Sequence, residues 1–156
     1  MNVNAPRLED RLGPHEPTYK SRGEAQVGRL LDKYGIPFSY ELPHLVYDRG
    51  RYRIWHPDFT LPKYKGLIVE YAGMPDIPEY MAGIRHKQRA YGANNKPALF
   101  IYPDDLKGSH WPERVVNWIV DASARYRSFT KYPTRSTAQR SGTRLPRYYR
   151  SRSYRR

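Results

Sequence analysis

Four side chains have the types and spacing to do chemistry together: Glu24, Asp58, Glu70 and Lys87. Glu70 interrupts Leu67-Ile68-Val69-Glu70-Tyr71-Ala72, a run otherwise apolar on both faces. Such a run reads as a central strand covered on both sides. An ionised carboxylate there is costly unless a cation or hydrogen bonds compensate it, and a metal ion is one such compensator. The plainer reading is an edge-strand carboxylate that faces water or pairs with an arginine. Asp58 lies twelve residues earlier, in Trp55-His56-Pro57-Asp58-Phe59-Thr60. Two strands joined by the intervening turn put both acids on neighbouring strands, where they can share one ion. Pro57 removes a ladder donor and disturbs pairing beside Asp58, although Pro-Asp alone marks a turn equally well.

Lys87 belongs to a segment in which Tyr80, Ile84 and Tyr91 form a helical stripe, and it falls in the centre of that stripe. A lysine facing a sheet either snorkels to water or meets negative charge, and the Asp58/Glu70 pair supplies that charge. Gln88 borders the same face as a secondary contact. Glu24 sits beside the buried face of the first helix. Ser21-Arg22-Gly23-Glu24 also matches a capping box, in which the glutamate only closes the helix start, and Glu41 is then the substitute acid. Because the chain has no cysteine and its five histidines show no helical metal-ligand spacing, a metal would be held by carboxylates. That donor set favours Mg²⁺, with Mn²⁺ able to substitute.

The elements that must position these groups follow from periodicity. Val27, Leu30, Leu31 and Tyr34 predict a helix over 22–34 that stops at Gly35. Two extended segments, 38–47 and 51–60, follow around Asp48-Arg49-Gly50, whose Asp and Gly suit a hairpin turn. Next come the Glu70 strand, a helix over 78–92, a strand over 98–102 between two prolines, and a last helix with Trp111, Val115, Trp118, Ile119 and Ala122 as its apolar stripe. The expected fold class is α/β, αβββαβ with a C-terminal helix, in which three strands form a meander within a mixed sheet flanked by helices.

Charge divides the chain. Its 156 residues carry a formal charge of +13, and residues 122–156 hold eleven Lys or Arg with no acid, leaving +2 for 1–121. A pI near 10.0 points to a polyanion partner, nucleic acid first. Residues 131–156 are rich in Arg, Tyr, Ser and Pro and too poor in aliphatic residues to fold alone. They read as a disordered basic arm after a folded domain at 19–130, with 1–18 as a flexible N-terminus. In the arm, Arg135, Arg140, Arg144, Arg147, Arg150, Arg152, Arg155 and Arg156 would neutralise phosphates, while Tyr126, Tyr132, Tyr148, Tyr149 and Tyr154 stack on exposed bases. No apolar run approaches the ~20 residues of a membrane span and no secretion signal opens the chain, so a soluble intracellular protein is expected.

Taken in order over about 21–106, these residues resemble the PD-(D/E)xK nuclease superfamily, the restriction-endonuclease-like group that includes Holliday junction resolvases and repair nucleases. Glu24 matches the first-helix acid, Pro57-Asp58 the Pro-Asp element, and Glu70 the acid of the third motif. The family lysine two residues after that acid is replaced by Ala72. Some members carry the lysine on the following helix instead, and Lys87 occupies such a position. The resemblance implies a Mg²⁺-dependent endonuclease acting on DNA, in which Asp58 and Glu70 hold the metal, Glu24 binds it directly or through water, and Lys87 assists the attacking water. A homodimer suits double-strand cleavage. The rival expectations are a nuclease fold that only binds nucleic acid, for which Ala72 is the best argument, and a basic structural protein that contacts RNA or a protein partner through its arm.

Overall fold

The computed structural model describes residues 17–126. The basic arm at 131–156, its eight arginines, and most of the 1–18 terminus lie outside the described residues. Tyr126, grouped above with the arm, instead caps the last helix and accepts a hydrogen bond at its carbonyl from Lys65 Nζ at 2.9 Å.

Helix α1 (Arg22–Lys33) begins at Ser21, whose hydroxyl accepts from the Glu24 N–H. Gly35, at φ 62°, carries the chain out of the helix. Short strands β1 (Ser39–Tyr40) and β2 (His44–Asp48) follow, then β3 (Arg51–Trp55), β4 (Phe59–Leu61) and β5 (Leu67–Tyr71). Helix α2 (Pro78–Ala93) crosses over to β6 (Ala98–Ile101), and α3 (Trp111–Arg125) closes the domain. The main sheet has the order β1-β4-β5-β6, antiparallel except for the β5/β6 pair, while β2 and β3 form a separate two-stranded ribbon. The mixed α/β architecture and the central position of β5 match the expectation from sequence.

The long hairpin does not. The expected strands 38–47 and 51–60 are each broken in two, and Glu41, expected within a strand, lies in the break at φ 52°. Pro43 and Pro57 flank the break on its two sides, and neither can donate to a ladder. The gap is spanned by other bonds: Glu41 N–H donates to the Asp58 carbonyl at 3.0 Å, and a His56 ring nitrogen lies 3.1 Å from the Glu41 carbonyl. Beyond the break the ribbon turns through Arg49 and Gly50, both at positive φ, as the type I′ geometry of a two-residue hairpin requires.

The strand alternation of β5 sorts two cores. Leu67 and Val69 join Val27, Leu31, Phe59, Val115 and Ile119 beneath α1 and α3. Ile68 faces the other way and packs with Ala90 and Tyr91 of α2 and with Val46 of the ribbon. The ribbon therefore curls over α2, with Trp55 edge-on to Tyr91 at 5.4 Å. Close approach of α1 to β5 depends on Gly23, where a Cβ would lie 2.0 Å from the Tyr71 ring.

Candidate functional site

Glu70 has the same strand parity as Ile68, so its carboxylate enters the layer between the sheet and α2, where it is 2% exposed. Both of its oxygens are met by α2. Lys87 Nζ lies 2.8 Å from Oε2, and the Tyr91 hydroxyl donates to Oε1 at 2.6 Å. The two donors are four residues apart, one helical turn, and so present themselves side by side. Burial, then the charge of Glu70 and its hydrogen bond, push the Tyr91 hydroxyl far up, which keeps it a proton donor.

Asp58 stands one residue before the Phe59/Val69 pair of the β4/β5 ladder, which places it across from Glu70 just ahead of the start of β4. Its Oδ2 accepts the Tyr71 N–H at 2.7 Å, so a side chain supplies the acceptor where β4 has not yet begun. Burial is the largest influence on this acid and the charge of Glu70 the second; together they raise its pKa to about 7. The Tyr71 N–H and Lys87 oppose that rise, and Glu24 adds to it. Asp58 and Glu70 thus form a carboxylate pair whose second negative charge is costly at neutral pH, a condition that a bound cation relieves.

Glu24 is buried, but its oxygens serve the helix start: the Ser21 hydroxyl donates at 2.9 Å, the Lys20 N–H at 3.2 Å and the Tyr40 hydroxyl at 2.6 Å. The cap read from Ser21 to Glu24 is formed at its Ser21 end, while the glutamate takes the Ser21 hydroxyl and the Lys20 N–H rather than the Ser21 backbone N–H. Glu41 is paired with Lys20 and lies at the root of the ribbon. Gln88 is half-buried beside Lys87. Ala72 is fully buried and donates its N–H to the Ile101 carbonyl.

Tyr91 was legible only as a member of an apolar stripe, and its hydroxyl bond to Glu70 adds a site residue. Asp48 was read only as a turn residue. It is turned inward, pairing with His86 at 2.8 Å and Arg53 at 3.5 Å, which ties the ribbon to the helix carrying Lys87.

Among the described residues, no group of three His, Cys, Asp or Glu side chains is arranged to hold a metal. Two all-oxygen carboxylates nevertheless fit Mg²⁺, which characteristically takes one or two protein carboxylates and fills its remaining positions with water and substrate phosphate. Each carboxylate oxygen has two lone pairs, so the bonds from Lys87, Tyr91 and Tyr71 leave acceptor capacity on both acids. No helix among the described residues is long and apolar enough to cross a membrane. Comparison with protein-family models, curated proteins and solved structures finds no match to this chain.

Proposed function

We propose that this chain is a Mg²⁺-dependent nuclease that hydrolyses phosphodiester bonds in DNA, with a PD-(D/E)xK-type site whose lysine comes from α2. One observation carries the reading: Lys87 reaches the buried Glu70 carboxylate at 2.8 Å while Asp58, one residue before β4, feels the charge of that carboxylate. An acid, acid and lysine set is what the resemblance implies, and a lysine supplied by α2 would answer the absence of one at position 72.

In this reading Asp58 and Glu70 hold the metal, which when bound would polarise the scissile phosphate and lower the pKa of its water. Glu24, itself buried, adds negative charge that Asp58 feels. Tyr91 and the Tyr71 N–H fix the two carboxylates, so little reorganisation accompanies reaction. Lys87 holds Glu70 with one proton and has two more to offer to an attacking water or to the negative charge growing on the phosphate. The products are a phosphomonoester and an alcohol. Incubating the full chain with labelled DNA and Mg²⁺, with and without EDTA, tests this: metal-dependent cutting is expected, and binding without cutting would favour the binding-module reading that Ala72 suggests.

A further inference from the structure

The β2/β3 ribbon has one face that nothing in the described structure covers. Its inner face packs on α2, yet Leu45, Tyr47, Tyr52 and Ile54 all point outward and are 55, 51, 69 and 57% exposed. They are not scattered. Leu45 pairs with Ile54 and Tyr47 with Tyr52 across the strands, and the two tyrosine rings sit 5.1 Å apart. The result is a contiguous apolar and aromatic patch, the kind of surface that marks an interaction site. At its tip Arg49 and Arg51 are both exposed, and the ribbon shows no exposed acid because Asp48 is turned inward onto His86 and Arg53.

Charge and area select the occupant. A second copy's ribbon would bring the same Arg49 and Arg51 and no exposed acid to pair with them. Four half-exposed side chains also offer only roughly 400 Å² per copy, about 800 Å² for a pair, below the ~1,200 Å² at which specific protein interfaces begin. Edge-to-edge pairing through β2 is blocked as well, since Asn94 both accepts the Tyr47 N–H at 2.8 Å and donates to the Tyr47 carbonyl at 2.9 Å. The basic arm at 131–156 has the same sign as the tip. A polyanion fits, and two strands about 4.8 Å apart enter the ~12 Å major groove of B-form DNA, where apolar side chains meet thymine methyls. The deep, narrow major groove of A-form RNA would exclude them.

We infer that the β2/β3 ribbon is a duplex-DNA arm that enters the major groove with Leu45, Tyr47, Tyr52 and Ile54 while Arg49 and Arg51 meet phosphates. This rests on the nuclease reading and supplies its substrate class, double-helical DNA. Position supports it: β3 ends three residues before Asp58, a span of at most about 11 Å, so the base of the ribbon adjoins the carboxylates. The arm is also rigid, being anchored by the buried Val46 and by the His86 and Asn94 contacts.

The test uses the full chain in EDTA, so that binding is read without cleavage, with a DNA duplex and an RNA duplex of the same sequence as probes. Tyr47→Ala/Tyr52→Ala should weaken DNA binding tenfold or more and change RNA binding less than twofold. Tyr52→Ala alone, at the most exposed site, gives the same direction with the least risk to folding, and Arg49→Ala/Arg51→Ala should flatten the salt dependence. Wild-type affinity for DNA in the tyrosine variants, equal loss on RNA, or a wild-type chain that does not bind duplex would each overturn the proposal. So would a sedimentation profile in which the wild type is a dimer that Tyr52→Ala/Ile54→Ser dissociates. A chain that binds duplex through the ribbon but never cuts it would sink the nuclease reading and leave the arm standing.

Discussion

The amine of Lys87 on α2 rests 2.8 Å from the carboxylate of Glu70 on the central strand, and the side chains are 38 and 3% exposed respectively. Removing the cation strands a buried negative charge, whereas neutralising both partners does not. Lys87→Met should therefore destabilise the domain by about 1–3 kcal/mol, a range discounted for the lysine's partial exposure. Lys87→Met/Glu70→Gln should recover part of that loss. A urea double-mutant cycle reads the coupling, and strictly additive effects would show that the contact is incidental.

Asp58 links stability to pH with a definite sign. Its folded pKa of about 7 lies above the usual aspartate value, so the folded state holds the proton more tightly. The corresponding stability is fully present below pH ~4 and is lost as pH rises through 7, a swing of up to about 4 kcal/mol. Asp58→Asn keeps an acceptor for the Tyr71 N–H without the charge. In EDTA at pH 8 it should melt roughly 5–10 °C above wild type, with the gap closing near pH 4. Equal melting temperatures at both pH values would remove the electrostatic account of this acid.

Gly23→Ala provides a test of packing in which sign alone is informative. Helix propensity favours alanine by about 1 kcal/mol. A Cβ here meets the Tyr71 ring at 2.0 Å, and Tyr71 supplies the N–H that holds Asp58. Net destabilisation of about 1–3 kcal/mol is expected, partly relieved by adding Tyr71→Ala. Thermal melts decide it, and a stabilised Gly23→Ala would show that the ring moves aside freely.

The arm can be tested through salt. Residues 131–156 carry nine Lys or Arg, and each phosphate they neutralise steepens the dependence of binding on salt by about 0.9 in log–log slope. Deleting 131–156 should flatten that slope by several units. An unchanged slope would leave the arm without a role in binding.

What could be read from sequence tracks how strongly each feature is written into periodicity. Glu70 was visible because a carboxylate contradicts its apolar run, and Lys87 because it interrupts a helical stripe; the fold brings the two into contact. Helix starts were visible at Ser21 and Pro78. The broken hairpin was not, because 38–47 and 51–60 look continuous until Glu41 adopts a positive φ opposite Asp58, a backbone event that side-chain pattern does not report. Tyr91 was counted as a packing residue, since nothing in spacing says where a hydroxyl points. Glu24 was ambiguous for a physical reason. Its carboxylate accepts cap hydrogen bonds and still adds negative charge near Asp58, so structural and electrostatic roles share one side chain.

Whether Asp58 and Glu70 form a metal-dependent cleavage site is decided by Mg²⁺-dependent cutting of labelled duplex DNA by purified wild type and Asp58→Ala, with binding followed in parallel. Wild type should cut, and Asp58→Ala should bind comparably while cutting at least a hundredfold more slowly, the order expected when a group supporting transition-state charge is removed. Cleavage by Asp58→Ala at the wild-type rate would contradict the account.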